Sequence, residues 1–315
     1  MNEFAKDRSY PGKLLLFGEY TLMNHSHALC IPANEWSGKF EKYNPPRHDA
    51  EMHMHSVGAI SPFAEYLKLH SDKSNWPFSI NFDHLEAHLN QGIFFNSSIK
   101  TGFGLGSSGA LVAAFYDNYC ESTNLEKPEL KQLIRHLSLL ESYFHGSSSG
   151  LDPLCSYLNT PLFVDSKGRI ERTTLQDFDS EIVVFLIDSH QNRKTAPLVA
   201  TYKEKSILPE FQSILNTEVL PLNNACIKHF IQGNAQDFLT SVASLSQLQL
   251  KHFTYAIPES ILPLWKNGID RNIFYMKLCG AGGGGYFLGF TTDLTKAKEL
   301  INHHHMDMIV PEFNF

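Results

Sequence analysis

The segment Gly104-Leu105-Gly106-Ser107-Ser108-Gly109 runs straight into Ala110–Cys120, a stretch whose composition predicts a helix. Glycines free the backbone to turn several N–H groups toward one anion, and a helix N-terminus adds partial positive charge. On physical grounds this is a phosphate cradle, although an ordinary glycine-rich helix entry has the same letters. The segment also satisfies G-x-G-x-x-G, the dinucleotide fingerprint, which needs a buried strand immediately before it. Here Asn96, Ser97, Ser98, Ile99, Lys100 and Thr101 precede it, a poor central strand, so a nicotinamide-binding reading is the weaker one.

Two further segments are rich in glycine. Pro11-Gly12-Lys13 opens a short apolar strand that closes on Gly18-Glu19. Leu14 stands where a P-loop would need Ser or Thr, so this is not a Walker motif, and alone it reads as turn, strand and turn. Gly280-Ala281-Gly282-Gly283-Gly284-Gly285 lies between two strands. So many glycines cost backbone entropy on folding, which points to close approach of a ligand or another loop. A merely flexible hairpin fits poorly with Met276, Leu278, Phe287 and Leu288 crowding both sides.

The elements that must carry these segments follow from apolar spacing. Strands are expected at Lys13–Phe17, Ala28–Ile31, Trp36–Tyr43 and around Phe78–Phe82, with helices over Ile60–His70, Leu85–Leu89 and from Pro128 to His145. Leu151–Leu158 follows as a helix, then strands at Leu162–Val164 and Ile182–Ile187. The remainder reads as helices over Ala196–Phe211, Glu218–Gln232, Ala235–Lys251 and Glu259–Asn267. Strands Ile273–Leu278 and Tyr286–Phe290, helix Leu294–His303 and a last strand near Ile309 close the chain. This is an α+β pattern. Its 315 residues predict two domains, divided near Asp177 into 1–177 and 178–315.

Composition limits the partners. The net charge is −7, with 43% hydrophobic and 19% charged residues, which excludes general disorder and argues against nucleic acid or an anionic membrane surface. Five scattered cysteines, Cys30, Cys120, Cys155, Cys226 and Cys279, form no CxxC pair and read as reduced thiols. Without an apolar signal region or membrane span the chain is expected in the cytoplasm. The tract His303-His304-His305 reads as a solvated helix end rather than a metal site.

In their order the three segments resemble the motifs of the GHMP kinases: Pro11-Gly12-Lys13 with Gly18-Glu19, then Gly104 to Ser108, then Lys277-Leu278-Cys279-Gly280-Ala281-Gly282-Gly283-Gly284-Gly285. Together they cover almost the whole chain. Glu141 with His145-Gly146-Ser147-Ser148-Ser149-Gly150-Leu151-Asp152 is similar to the mevalonate kinase stretch His-Gly-x-Pro-Ser-Gly-x-Asp and its upstream Glu. Arg193-Lys194-Thr195 resembles that family's Arg-x-Thr segment. Tyr20 replaces a frequent His, Ser148 the loop Pro, and Gly109 an Ala. The Ser-Ser-Gly form and the Tyr also occur in phosphomevalonate kinases, so these departures bear on the substrate rather than on the kinase class.

The resemblance implies a ribosomal-S5-like N-terminal domain, a ferredoxin-like C-terminal domain, and ATP and Mg²⁺ as cofactors. Gly104, Leu105, Gly106, Ser107 and Ser108 would hold ATP, with Ser108 and Glu141 on the metal. Asp152 would be the catalytic base with Lys13 beside it. Glu19, Tyr20, Arg193 and Thr195 would bind substrate, and Gly280, Ala281, Gly282 and Gly283 form the third motif. A small-molecule alcohol, mevalonate first, is the implied partner, and a homodimer is compatible with the sequence. Phosphomevalonate kinase, another small-molecule kinase of the superfamily and a ligand-binding sensor of the same fold are the alternatives. The sensor is disfavoured because Lys13, Ser108, Glu141 and Asp152 are all retained.

Overall fold

The computed structural model describes residues 6–71, 76–122 and 128–311. They gather into two compact units that do not follow a single cut of the chain. Within the described residues, unit 1 takes those of 6–13, 32–100 and 106–159, and unit 2 those of 14–31, 101–105 and 160–311. The position expected for the domain division, near Asp177, lies within unit 2.

Strands β1 (Tyr10–Phe17) and β2 (Ala28–Lys42) each contribute residues to both units. Unit 1 continues through α1 (Ala50–Ser71), β3 (Phe78–Ile80), α2 (Phe82–Asn90) and β4 (Ile93–Ser97). It ends with α3 (Ser107–Tyr119), β5 (Cys120–Ser122), α4 (Leu130–His145) and α5 (Leu151–Leu158). Its core is built on α3, where Ala110, Val112, Ala113, Ala114 and Phe115 are all fully buried. A helix apolar on every face must lie inside, and its alanines allow close packing. Gly109 shows how close: a Cβ there would stand 3.0 Å from the Asp152 carbonyl carbon at the start of α5. α4 instead buries one stripe, Leu133, Leu137, Leu140 and with them Glu141. It stops at Gly146, which turns to φ 73°.

Unit 2 adds β6 (Leu162–Val164), β7 (Ile170–Arg172), β8 (Val183–Asp188), α6 (Thr195–Ser206) and α7 (Pro209–Ile214). α8 (Leu220–Ile231), α9 (Ala235–His252), α10 (Leu262–Asp270), β9 (Tyr275–Leu278), β10 (Tyr286–Thr291), α11 (Leu294–His303) and β11 (Asp307–Ile309) complete it. Four strands form an antiparallel sheet in the order β11-β8-β10-β9. Its apolar strands, Val184–Ile187 and Tyr286–Phe290 among them, are buried. The Phe17 ring packs edge-on or stacked against Phe230, Phe238 and Phe290 at about 6 Å, and Phe238 packs edge-on against Phe290 at 5.1 Å.

Several elements differ from expectation. The two strands expected at Ala28–Ile31 and Trp36–Tyr43 are one strand, because β2 has two partners. Ala28–Cys30 pairs with β6 and Gly38–Lys42 with β4, and Pro32 lies between the paired stretches. The helix expected over Ala196–Phe211 breaks after Ser206, since Pro209 cannot continue it and opens α7 instead. β4, unexpected as a strand, ends at Ser97 and runs antiparallel to β2. The glycine-rich segment therefore does not follow a parallel strand, which removes the structural context a dinucleotide fingerprint requires. No disulfide joins the cysteines. Among the described residues no helix is long and apolar enough to cross a membrane.

Candidate active site

Unit 1 gathers Lys13, Gly106, Ser107, Ser108, Glu141 and Asp152. Gly106 is the N-cap of α3 in left-handed conformation, φ 69°. A side chain there would collide with Lys13, whose Cγ would lie 2.6 Å from the added Cβ. The glycine thus lets the lysine stem pass against the helix entrance, where the first-turn N–H groups, those of Ser107 and Ser108 included, have no intrahelical acceptor. Lys13, only 8% exposed, reaches Asp152 Oδ2 with its Nζ at 2.8 Å. Asp152 is the second residue of α5, and Gly150 is the N-cap. The carboxylate is therefore not occupied in capping its own helix. Ser108 Oγ lies 3.1 Å from His145 Nε2.

Glu141 is buried, at 3% exposure. The Ser148 hydroxyl donates to its Oε2. Its Oε1 is buried without a hydrogen-bond partner. Burial pushes the carboxyl pKa up to about 8 and the Asp152 charge adds to the rise, against the Ser148 hydrogen bond and Lys13. Among the described residues two carboxyl groups share one ammonium here, so without a further cation the cluster keeps a proton on Glu141 up to about pH 8. A buried, bare carboxylate oxygen is a poor arrangement for a protein alone and a good one for a hard cation. Among the described residues no set of three His, Cys, Asp or Glu side chains could cage a metal. A Mg²⁺ ion there would take the rest of its oxygens from phosphates and water, the usual pattern for that ion.

Unit 2 holds the other candidates. Gly18, at φ 115°, has the Ala28 Cβ 2.4 Å from where its own would be, so the turn into Glu19 admits no side chain. Glu19 then meets Lys277 Nζ at 2.6 Å, with both side chains at or below 1% exposure. Burial raises the Glu19 pKa, and the Lys277 charge opposes that rise. Lys277 also donates to the Leu278 carbonyl and stands over the Phe17 ring. Tyr20 adopts φ 61°, a strained backbone for a bulky residue. Its hydroxyl donates to the Ala281 carbonyl at 2.6 Å and its ring stacks on Tyr202 at 4.7 Å. Burial raises its pKa, which keeps it a donor.

Arg193 is seated among glycines. Its Nη1 donates to the Cys279 carbonyl at 3.2 Å. A Cβ on Gly104 would lie 2.8 Å from that nitrogen, and one on Gly280 2.4 Å. The third segment is likewise packed rather than loose. A Cβ would meet the Ala256 carbonyl at 2.3 Å from Gly282 and Leu198 at 2.5 Å from Gly283. Leu105 is fully buried, while Thr195 is exposed at the first position of α6. On the segment that carries Arg193, Asn192 and Lys194 line a separate cavity of about 400 Å³ with Tyr255 and Gly283. Neither Lys277 nor Ser148 carries a role of its own in the motifs that contain them. Lys277 had a signal, a lone cation between Met276 and Leu278 in an apolar strand. Ser148 had none beyond its departure from the motif.

The α+β architecture is that of the GHMP kinases. The galactokinase of Lactococcus lactis, solved with galactose, matches with a TM-score of 0.66 at 14% identity, over 98% of this chain and 94% of that one. The mevalonate kinase of Methanococcus jannaschii matches at 0.64 and 15% identity, over 99% and 100%. Residues 77–160 match the family model described as the GHMP kinases N terminal domain. More particularly, the chain is 23% identical to the mevalonate kinase of Archaeoglobus fulgidus over 296 residues, 89% of this chain and 90% of that protein.

Proposed function

We propose that this chain is an ATP- and Mg²⁺-dependent small-molecule kinase that phosphorylates the primary alcohol of mevalonate, giving 5-phosphomevalonate for isoprenoid precursor synthesis. The observation that carries this reading is the contact of Lys13 Nζ with Asp152 Oδ2 at 2.8 Å, acting on a buried Glu141 whose Oε1 is bare. The likeness to the Archaeoglobus mevalonate kinase supports mevalonate as the substrate. In this mechanism the backbone from Gly104 to Ser108 cradles the phosphates, with Ser108 and Glu141 as the metal's protein ligands. When bound, Mg²⁺ neutralises charge on the phosphates. Asp152 accepts the proton of the acceptor hydroxyl as its oxygen forms a bond to the γ-phosphorus and the bond from that phosphorus to the β,γ-bridging oxygen breaks, ADP leaving with the electron pair, and Lys13 holds the Asp152 carboxylate in line. Arg193 pairs with the acceptor carboxylate, for which a guanidinium is suited. Glu19 and Tyr20 shape the acceptor site through Lys277 and Ala281, and Thr195 supplies a hydroxyl to it.

A second reading has one observation in its favour. An acceptor that already carries phosphate needs more positive charge, and Lys194, next to Arg193, is exposed and lines the 400 Å³ cavity. That reading is phosphomevalonate kinase. Coupled ADP release with mevalonate, phosphomevalonate, homoserine and galactose, run side by side, separates them. Release with mevalonate alone is expected. Release only with phosphomevalonate overturns the substrate, and no release with any acceptor overturns the kinase.

A further inference from the structure

Glu141 has a neighbour that the motif it resembles lacks. Where that motif carries Pro, this chain has Ser148. The Ser148 hydroxyl donates to Glu141 Oε2, and its oxygen accepts the N–H of Gly150 at 2.9 Å. Its carbonyl accepts the hydroxyl of Ser138, on α4, at 2.6 Å. The residue is thus tied to α4 on one side and to the entry of α5 on the other. A hydroxyl has one proton, and here the Glu141 carboxylate takes it. With Oε2 engaged, the unused acceptor capacity of the buried carboxylate is concentrated on Oε1.

We propose that Ser148 is a positioning residue that fixes the Glu141 carboxylate so that Oε1 alone is presented to the divalent cation. The inference rests on the kinase reading above, which makes Glu141 a metal ligand. The terminal torsion of a glutamate is broad, so a carboxylate without an anchoring donor samples many orientations. Hydrogen bonds behind a ligating group restrict it, and removing one typically costs about 10–100-fold in metal affinity. Proline at this position has no proton to give.

The test titrates Mn²⁺ as the probe, read by electron paramagnetic resonance, into the full chain with a non-hydrolysable ATP analogue. Ser148→Ala is expected to weaken Mn²⁺ binding about 10-fold or more. Ser148→Thr, which keeps the hydroxyl, restores most of it. Affinity for the analogue without metal stays unchanged, and the acceptor KM stays unchanged while the Mg²⁺ requirement for turnover rises. If Glu141→Gln loses Mn²⁺ while Ser148→Ala binds it normally, the role of Ser148 is overturned and the metal role of Glu141 stands. Normal binding in both variants overturns both. Equal loss in Ala and Thr also overturns the proposal, since the hydroxyl would then not be what matters. Should Ser148→Ala fold poorly, Ser148→Cys keeps the volume with a much weaker donor and is expected to show the same loss.

Discussion

The two charged clusters solve opposite problems. In unit 1, Glu141 and Asp152 face a single ammonium, that of Lys13, and one carboxylate oxygen is bare. In unit 2, Glu19 and Lys277 neutralise each other at 2.6 Å with almost no exposure, and among the described residues the guanidinium of Arg193 donates to a backbone carbonyl and forms no ion pair with a carboxylate. The first cluster is short of a cation and the second is closed apart from a cation to spare. A cluster that is balanced internally holds chain segments in place, whereas an unbalanced one is completed from outside. The difference is what the proposed function asks for: an incomplete cluster in unit 1 for the chemistry, and in unit 2 a framework pair beside an arginine suited to an anion.

The largest effect should come from the centre of the unbalanced cluster. Asp152→Asn removes the proposed base while keeping the shape, and turnover should fall by about 10²–10⁴-fold, the usual worth of a positioned base. Binding of an ATP analogue should persist. Near-normal turnover in coupled ADP release would refute the assigned role and with it the chemical half of the comparison.

Next comes the balanced pair. Lys277→Met leaves the Glu19 carboxylate buried and alone, and removing one partner of a buried pair costs about 3–5 kcal/mol. Urea unfolding should show that loss, and the double variant Glu19→Met/Lys277→Met should recover most of it. A Lys277→Met protein as stable as the wild type would mean that the pair holds nothing together.

Arg193→Ala tests the spare cation. A charge-assisted hydrogen bond contributes about 1.5–3 kcal/mol, so acceptor KM should rise roughly 10–100-fold with kcat less affected. Gly280→Ala should raise acceptor KM in the same direction, because its Cβ would press on the guanidinium. A change confined to the nucleotide KM would move Arg193 from the acceptor to ATP.

Much of the fold was legible because it rests on local pattern. The apolar run of α3, the stripe of α4 and the paired strands β9 and β10 follow directly from residue spacing. What escaped depends on partners distant in sequence. Pro32 suggests a break in β2 only until the strand is seen to have two partners, β6 and β4. The third glycine segment announced a close approach, yet its neighbours Ala256, Leu198 and Gln191 carry no mark of it. At the site, Lys13, Glu141 and Asp152 stood out through motif context. The bond from Ser148 to Glu141 did not, since a serine in a run of serines has no distinguishing pattern.

The smallest effect is a pH dependence that separates the clusters without any substrate. Glu141 has its pKa raised from the ordinary 4.5 to about 8. A raised carboxyl pKa means that the folded state binds the proton more tightly than the unfolded chain. The associated stability is fully present below about pH 4.5 and is lost as pH rises through about 8. The metal-free protein should therefore lose a few degrees of Tm relative to Glu141→Gln between pH 5 and 9, given that about 1 kcal/mol shifts a domain of this size by roughly 2–4 °C. Relaxation around the buried charge keeps the effect below what a rigid site would impose. Glu19 is common to both proteins, so its own raised pKa cancels in the difference. If Glu141 is the metal ligand proposed, adding Mg²⁺ with an ATP analogue should flatten the slope, because the cation would take the place of the proton. Parallel pH profiles for the two proteins would show that Glu141 is electrostatically satisfied, and the contrast between an open and a closed cluster would fail.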